Sequence, residues 1–326
     1  MAGTPFTLYP FTARATEGIR NGVVTVGCFD GVHRGHRYLL DQVAAEARRR
    51  GCAAVVMTFD RHPREVLQAG YQPALLTTTA DRVALLRQSG MDACAVLHFT
   101  PEMARLTAAA FMTDILVQGL GAATLVMGYD HRFGSDRLTA FTDYAAAAAQ
   151  AGMDIVHATP LMLGGEAVSS SRIRRLLAAG DAAGAAACLG RPFALHGQVV
   201  HGNHVGTGLG FPTANVKADD DRFMLPAYGV YAAWAQTDDG RRHAAMVNIG
   251  VRPTIGDGLR PTTEAHLLHF HGDLYGRQLT LHFVARLRDE RRFTSRDDLR
   301  ARLGEDARVA QVALDEATAC EIENNR

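Results

Sequence analysis

Two histidines, His33 and His36, stand three residues apart in GCFDGVHRGH, directly behind the apolar run VVTVGCF (23–29). At helical spacing this puts both imidazoles on one face, beside the unpaired N–H groups of a helix start. Such a corner suits an anionic phosphate. With ATP there, the rings could stabilise charge developing on the α-phosphate as pyrophosphate leaves. The same spacing also fits a metal pair or a solvated helix start, although no nearby cysteine or carboxylate completes a zinc set. Gly27, Gly31 and Gly35 let the backbone turn and approach a ligand. A second constellation, HGQVVHGNHVGTGLGFPTANVK (196–217), carries glycines at 202, 206, 208 and 210. Their N–H groups can cradle phosphates, although no Lys-Ser/Thr follows as in a Walker loop. Thr213 and Asn215 are two apart, so an extended segment turns them to one side, where their neutral oxygens suit a Mg²⁺ that bridges ATP phosphates. A glycine-rich hairpin with a Thr/Asn turn would read the same way. Between the two lies VSSSRIRRLL (168–177), in which Ser169–Ser171 open a helix and Arg174 follows a turn later. That is an anion clamp or a plain N-cap.

The elements that must position these residues fall into two patterns. Apolar runs at 23–29, 53–59, 93–99, 123–129 and 154–158 alternate with helix-like segments. Together they describe a parallel sheet covered on both faces. Ligands of such sheets lie outside the carboxyl ends of the strands, where the histidine pair falls. From Phe193 the pattern changes to short alternating strands broken by glycine: ALHGQVVHG, GVYAAWAQ, RHAAMVNIG, TTEAHLLHF and QLTLHFVARL. These suggest a small antiparallel barrel. A helical tail follows, with Ser295 as its N-cap. The domain boundary is expected near Leu189 to Pro192, giving domains 1–189 and 190–326, about the number that roughly 150 residues per domain suggests.

Composition narrows the function. Lys plus Arg equals Asp plus Glu at 34 each, which argues against a general grip on nucleic acid or an anionic membrane. The longest apolar-leaning run, Ile115 to Tyr129, is about 15 residues, short of the roughly 20 of a membrane span. The N-terminus has no basic start followed by an apolar stretch. Five scattered cysteines (Cys28, Cys52, Cys94, Cys188 and Cys320) suit a reduced cytoplasm. A soluble cytoplasmic protein with local phosphate sites and no obligate protein partner is expected.

The motifs taken in order resemble one family. GCFDGVHRGH is similar to the HxGH signature of nucleotidylyltransferases, in the form carried by prokaryotic bifunctional riboflavin kinase/FAD synthetases. The resemblance implies that Gly27, Phe29, His33 and His36 meet ATP. TFDRHPREVL (58–67) and GYDHRFG (128–134) resemble the loops after that family's strands, putting Phe59 and Asp130 on the flavin side. VSSSRIRRLL resembles its second signature and assigns Ser170, Ser171 and Arg174 to ATP phosphates. GFPTAN resembles the riboflavin kinase signature, which assigns Thr213 and Asn215 to Mg²⁺ and ATP together with Gly202, Gly206 and Gly210. Glu264, in EAHLLHFHGDLYG (264–276), matches the catalytic base, while Tyr275, Arg288 and Phe293 match a flavin pocket. The implied fold is a Rossmann-like, nucleotidylyltransferase-type α/β domain followed by a riboflavin kinase β-barrel with a C-terminal helix. The implied activity makes FMN from riboflavin and then FAD from FMN. Departures from the pattern are Ser171 for threonine, His131 for phenylalanine, and Ala167 and Thr207 for arginine. They leave open a second reading, an active kinase whose nucleotidylyltransferase domain is impaired or differently specific. A flavin-binding protein without turnover is a third, weighed against by the full set His33, His36, Thr213, Asn215 and Glu264.

Overall fold

The computed structural model describes residues 5–324, apart from 17, 69, 202–207, 209, 253–259 and 292. The chain divides into two compact units, Met1–Ser170 and Ser171–Arg326.

The first unit is built on strands β1 (Phe6–Pro10), β2 (Gly22–Val26), β3 (Ala54–Phe59), β4 (Ala93–Leu97), β5 (Ala122–Met127) and β6 (Asp154–His157). They form a six-stranded sheet in the order β1-β4-β3-β2-β5-β6. Pairing from β4 through β6 is parallel, as the apolar runs predicted. β1 adds an antiparallel edge, with Phe6 opposite Leu97. β1 has no continuous apolar run, which is why it was not read as a strand. Alternate residues feed two cores: Val24, Val26, Val55 and Met57 pack on one face, and Val23, Ala54, Val56 and Cys94 on the other. Around the sheet lie α1 (Ala13–Thr16), α2 (Arg34–Arg50), α3 (Pro63–Leu67), α4 (Thr79–Arg87), α5 (Ala108–Ala110) and α6 (Phe141–Gln150). Residues Phe111–Gly119 wind as a π-helix, in which Leu120 N donates to Ile115 O at 3.0 Å. Because β3 and β5 flank β2 on opposite sides, strand order reverses there, and the crevice rule singles out the ends of β2 and β5. A small ribbon of β7 (Met162–Leu163) and β8 (Glu166–Ala167) ends this unit.

The second unit begins with α7 (Ser170–Ala178) and α8 (Ala182–Leu189). By compactness the division falls at the first residue of α7. The cause is local packing. Ala227 N donates to Leu177 O at 2.9 Å, and the bare Cα of Gly180 admits the Arg286 side chain, whose Cδ would lie 2.6 Å from an added Cβ. Strands β9 (Phe193–Val200), β10 (Ala214–Ala218), β11 (Gly229–Thr237), β12 (Arg242–Arg252), β13 (Arg260–Leu267) and β14 (Gln278–Arg288) close into a barrel in the order β10-β13-β12-β11-β14-β9. Every pairing is antiparallel, and closure leaves no open sheet edge. β10 was not among the expected strands. It is brief, and its only buried residue is Val216. Phe193, Tyr231, Leu281 and Phe283 fill the interior. Helix α9 (Arg296–Asn324) is capped by Ser295, whose Oγ accepts from Asp298 N at 3.1 Å. It lies over the outer face, with Ala310 and Leu314 against Val230 and Met246.

Candidate active sites

The turn after β2 carries unusual backbone. Phe29 (φ 49°), Gly31 (φ 85°) and Val32 (φ 38°) all lie in the left-handed region. A non-glycine residue there is strained and persists only where its surroundings enforce it. Buried polar contacts supply the enforcement. The Asp30 carboxylate, 3% exposed, accepts from Leu76 N, Thr77 N and Thr77 Oγ1 at 3.0–3.1 Å. Thr77 Oγ1 in turn accepts from Gly31 N at 3.0 Å. Arg82, also buried, donates to Cys28 O at 2.7 Å, Phe59 O at 2.8 Å and Thr79 Oγ1 at 3.0 Å, binding the ends of β2 and β3 together. Ser170 Oγ donates to Asp30 O at 2.9 Å. A Cβ on Gly35 would sit 2.6 Å from Val168 O, so only glycine allows this approach.

The result is a paired imidazole site at the start of α2. His33 is the N-cap, its Nδ1 accepting from His36 N at 3.1 Å. When singly protonated, that ring therefore carries its proton on Nε2 and can donate from there. The two rings stack with centroids 3.5 Å apart and planes 16° from parallel, and His36 leans on Phe29 at 5.0 Å. Burial, then His33 and Arg82, lower the His36 pKa well below its ordinary value, so the ring is neutral near pH 7. Its Nδ1 is buried without a hydrogen-bond partner.

Gly27, Phe59 and Asp130 fall at or just past the ends of β2, β3 and β5. Gly27 N donates to Met57 O at 3.0 Å, and a Cβ there would touch the Phe29 ring at 3.1 Å. Asp130 is exposed on the turn after β5. Phe59 is 7% exposed and packs edge-on against Phe99 at 5.5 Å, so it belongs to the core as much as to any flavin surface. His131 lies in the same loop as Asp130; burial holds its pKa at about 4, and its Nε2 has no partner. Ser171 is exposed and Arg174 half-buried on α7. Asp30 and Arg82 were missed from the sequence. Each is a lone charged residue outside the motif histidines, and only the fold shows what it holds.

In the barrel, Gly202 and Gly206 lie outside the described residues, as does Thr207. Gly210 adopts φ 85°, the conformation a glycine-rich turn needs. Asn215 on β10 pairs directly with Glu264 on β13, and Glu264 pairs with Asn248 on β12. Opposed residues share a face. Their neighbours Val247, Ile249 and Ala265 are fully buried inside the barrel, whereas the three polar residues are half-buried outside it. Asn248 pairs next with Val230, which α9 covers. Two residues before Asn215, Thr213 lines a cleft of about 330 Å³ with Pro212, Phe270, Asp273 and Tyr275. Tyr275 stacks on His201 at 4.1 Å. A Cβ on Gly250 would run into the Glu290 carboxylate, so this glycine makes room for an acid that the sequence reading did not single out.

The expected flavin trio is not one cluster. Tyr275 precedes β14 and Arg288 ends it, and the eleven residues from Gln278 to Arg288 span roughly 33 Å of strand. The Arg288 fork is instead committed to Asp306, 1% exposed on α9, at 2.7 Å from NH2 and 2.9 Å from Nε, while NH1 donates to Asp289 O. Phe293 lies 5.7 Å from the Arg288 guanidinium and 4.7 Å from that of Arg291.

Among the described residues no group of three or more His, Cys, Asp and Glu side chains could hold a metal ion by itself. The oxygens of Thr213 and Asn215 suit a Mg²⁺ that keeps its waters and arrives with nucleotide phosphates, which needs no such cage. No helix among the described residues is long and apolar enough to cross a membrane.

Comparison with known proteins matches both halves. The FAD synthetase family profile covers residues 16–172 and the riboflavin kinase profile residues 189–314. The bifunctional riboflavin kinase/FMN adenylyltransferase of Escherichia coli strain K12 is 39% identical, with 92% of each chain covered. That of Pseudomonas fluorescens is 40% identical over 90% of this chain and 93% of its own. A crystal structure from Streptococcus pneumoniae, described as a macrolide-efflux protein, superposes with TM-score 0.80 at 31% identity, covering 91% of this chain and 97% of the other. Sheet, barrel, motif order and kinship agree: the chain belongs to the bifunctional riboflavin kinase/FMN adenylyltransferase family.

Proposed function

We propose that the two compact units divide the work, the barrel phosphorylating riboflavin and the sheet unit adenylylating FMN. The chemistry of the chain is ATP + riboflavin → FMN + ADP, then ATP + FMN → FAD + pyrophosphate. The observation that carries the division is the register that sets Asn215 opposite Glu264 in one unit, while the stacked histidines belong to the other.

For phosphorylation, the Glu264 carboxylate accepts a hydrogen bond from the riboflavin 5′-hydroxyl, aims its oxygen at the γ-phosphorus and takes the proton as the bond forms. Thr213 and Asn215 hold the nucleotide and would hold Mg²⁺. That ion, when bound, offsets the charge on the phosphates. Gly210, with Gly202 and Gly206, cradles the phosphates, and Tyr275, which shares a cleft with Thr213, is assigned to the flavin with Arg288 and Phe293 by family resemblance.

For adenylylation, His33 donates from Nε2 to an α-phosphate oxygen, and neutral His36 packs against it as a second polar contact. Preset donors stabilise the charge that develops as pyrophosphate leaves. The strained turn at Phe29 to Val32 brings backbone close to the nucleotide, with Gly27 beneath it. Asp130 serves the flavin side. Ser170 closes the turn, and Ser171 and Arg174 are assigned to phosphate by family resemblance alone. Riboflavin, FMN and ATP are the partners this account requires, and a reduced cytoplasm suits the unbridged Cys28, Cys52, Cys94 and Cys188.

Two variants test the division by chromatography of FMN and FAD. His36→Ala abolishes FAD formation from FMN and spares FMN formation; Glu264→Ala does the reverse. Equal loss of both activities in either variant refutes it. One observation favours a second reading, a differently specific sheet unit: the neutral His131 beside Asp130 on the turn after β5. Absence of pyrophosphate when the protein is given FMN, ATP and Mg²⁺ would select that reading.

A further inference from the structure

The outer face of the barrel carries one polar row whose middle member alone has been given chemistry on the acceptor side. Asn215, Glu264 and Asn248 are successive cross-strand partners on β10, β13 and β12. Neighbouring strands lie about 4.8 Å apart, so the two amides flank the carboxylate at one strand spacing on either side. The flanks differ. On the β10 side stands Thr213, two residues before Asn215, with the turn at Gly210 leading in. On the β12 side Asn248 is followed by Val230, where α9 closes the face with Ala310 and Leu314.

Phosphoryl transfer proceeds with attacking and leaving oxygens roughly in line on opposite sides of phosphorus. If the nucleotide enters from β10, the acceptor must approach Glu264 from β12. There it meets a half-buried amide with one carbonyl and two N–H groups, beside the face that α9 closes. A polyol chain matches those donor and acceptor groups.

We propose that Asn248 is a specificity-determining residue of the kinase site, hydrogen-bonding a ribityl hydroxyl of riboflavin and so placing the 5′-hydroxyl against Glu264. The inference rests on the assignment of Glu264 as base. It gives the row a direction: donor at β10, base at β13, acceptor at β12.

The test is steady-state phosphorylation by the full chain with Mg²⁺–ATP, using riboflavin and its 3′-deoxy and 4′-deoxy analogues. Losing one hydrogen bond costs about tenfold in affinity. Asn248→Ala should therefore raise the KM for riboflavin roughly tenfold, leave the KM for ATP within about twofold, and show no further loss against one of the two analogues. Asn248→Ser, which keeps a shorter hydroxyl, should fall between, and carries the comparison if the alanine variant does not fold. FAD formation from supplied FMN reports that the rest of the chain is intact. A matching rise in the KM for ATP, an unchanged KM for riboflavin, or equal loss against all three flavins overturns the proposal. Glu264→Gln, run in parallel, separates the two failures. If it keeps full turnover, the base assignment is wrong; if it is inactive while Asn248→Ala behaves as wild type, only the present inference falls.

Discussion

One buried carboxylate, Asp30, braces the turn that leads into the histidine pair. Asp30 gathers donors from Leu76 and Thr77 and thereby locks the strained turn before His33. Asp30→Asn would set an amide NH₂ against those donors. We expect a loss of roughly 2–4 kcal/mol by urea unfolding, and a fall of more than tenfold in FAD formation with FMN formation unchanged. His131 acts through its protonation. Its folded pKa of about 4 lies below the unfolded value of roughly 6.5, so protons favour the unfolded chain. The stability it confers is complete above pH 6.5 and is lost as pH falls toward 4, by about 1.4 kcal/mol per pH unit. Asp130 opposes this slightly, and neutral His36 adds to it. Replacing His131 by phenylalanine should make the acid side of the sheet unit's stability curve shallower without abolishing it; unfolding at pH 7 and pH 5 measures the difference. The motif residues were legible in the sequence because glycine, histidine and hydroxyl spacings repeat a known pattern. Asp30, Arg82 and Asn248 were not, since what they do depends on contacts from elsewhere in the fold or on strand register, which spacing along the chain does not reveal.

Helix α9 is held on the barrel by apolar contact and by one buried acid. Asp306 receives Arg288 and, at 2.9 Å, Arg302. Removing one partner of such a cluster leaves uncompensated charge, at a cost of about 3–5 kcal/mol. Asp306→Ala should destabilise the barrel by that amount, raise amide exchange along the first turns of α9, and lower FMN formation while FAD formation from FMN persists. The parallel strands and the principal helices were readable because their apolar periods are strong: Val23 to Val26 and Val55 to Met57 are buried on both faces. β1 and β10 escaped because each is five residues long with little burial of its own, held by partners distant in sequence. The ion pair of Arg288 was hidden for the related reason that its partner, Asp306, sits eighteen residues further on, in another element.

At the scale of the molecule, two folds with separate cores match the two family profiles, each with one proposed nucleotide corner, and FMN is the product of one activity and the substrate of the other. Kinship over nine-tenths of the chain fixes the pair of activities, and the compact division at Ser170 gives each a physical frame. If the corners are independent, an enzyme broken at one site should be rescued by a second enzyme broken at the other. The direct measurement is FAD formation from riboflavin, ATP and Mg²⁺ by His36→Ala and Glu264→Ala proteins, alone and mixed. The account predicts no FAD from either alone and FAD from the mixture after FMN has accumulated. A mixture that stays silent, with both proteins folded, would contradict it.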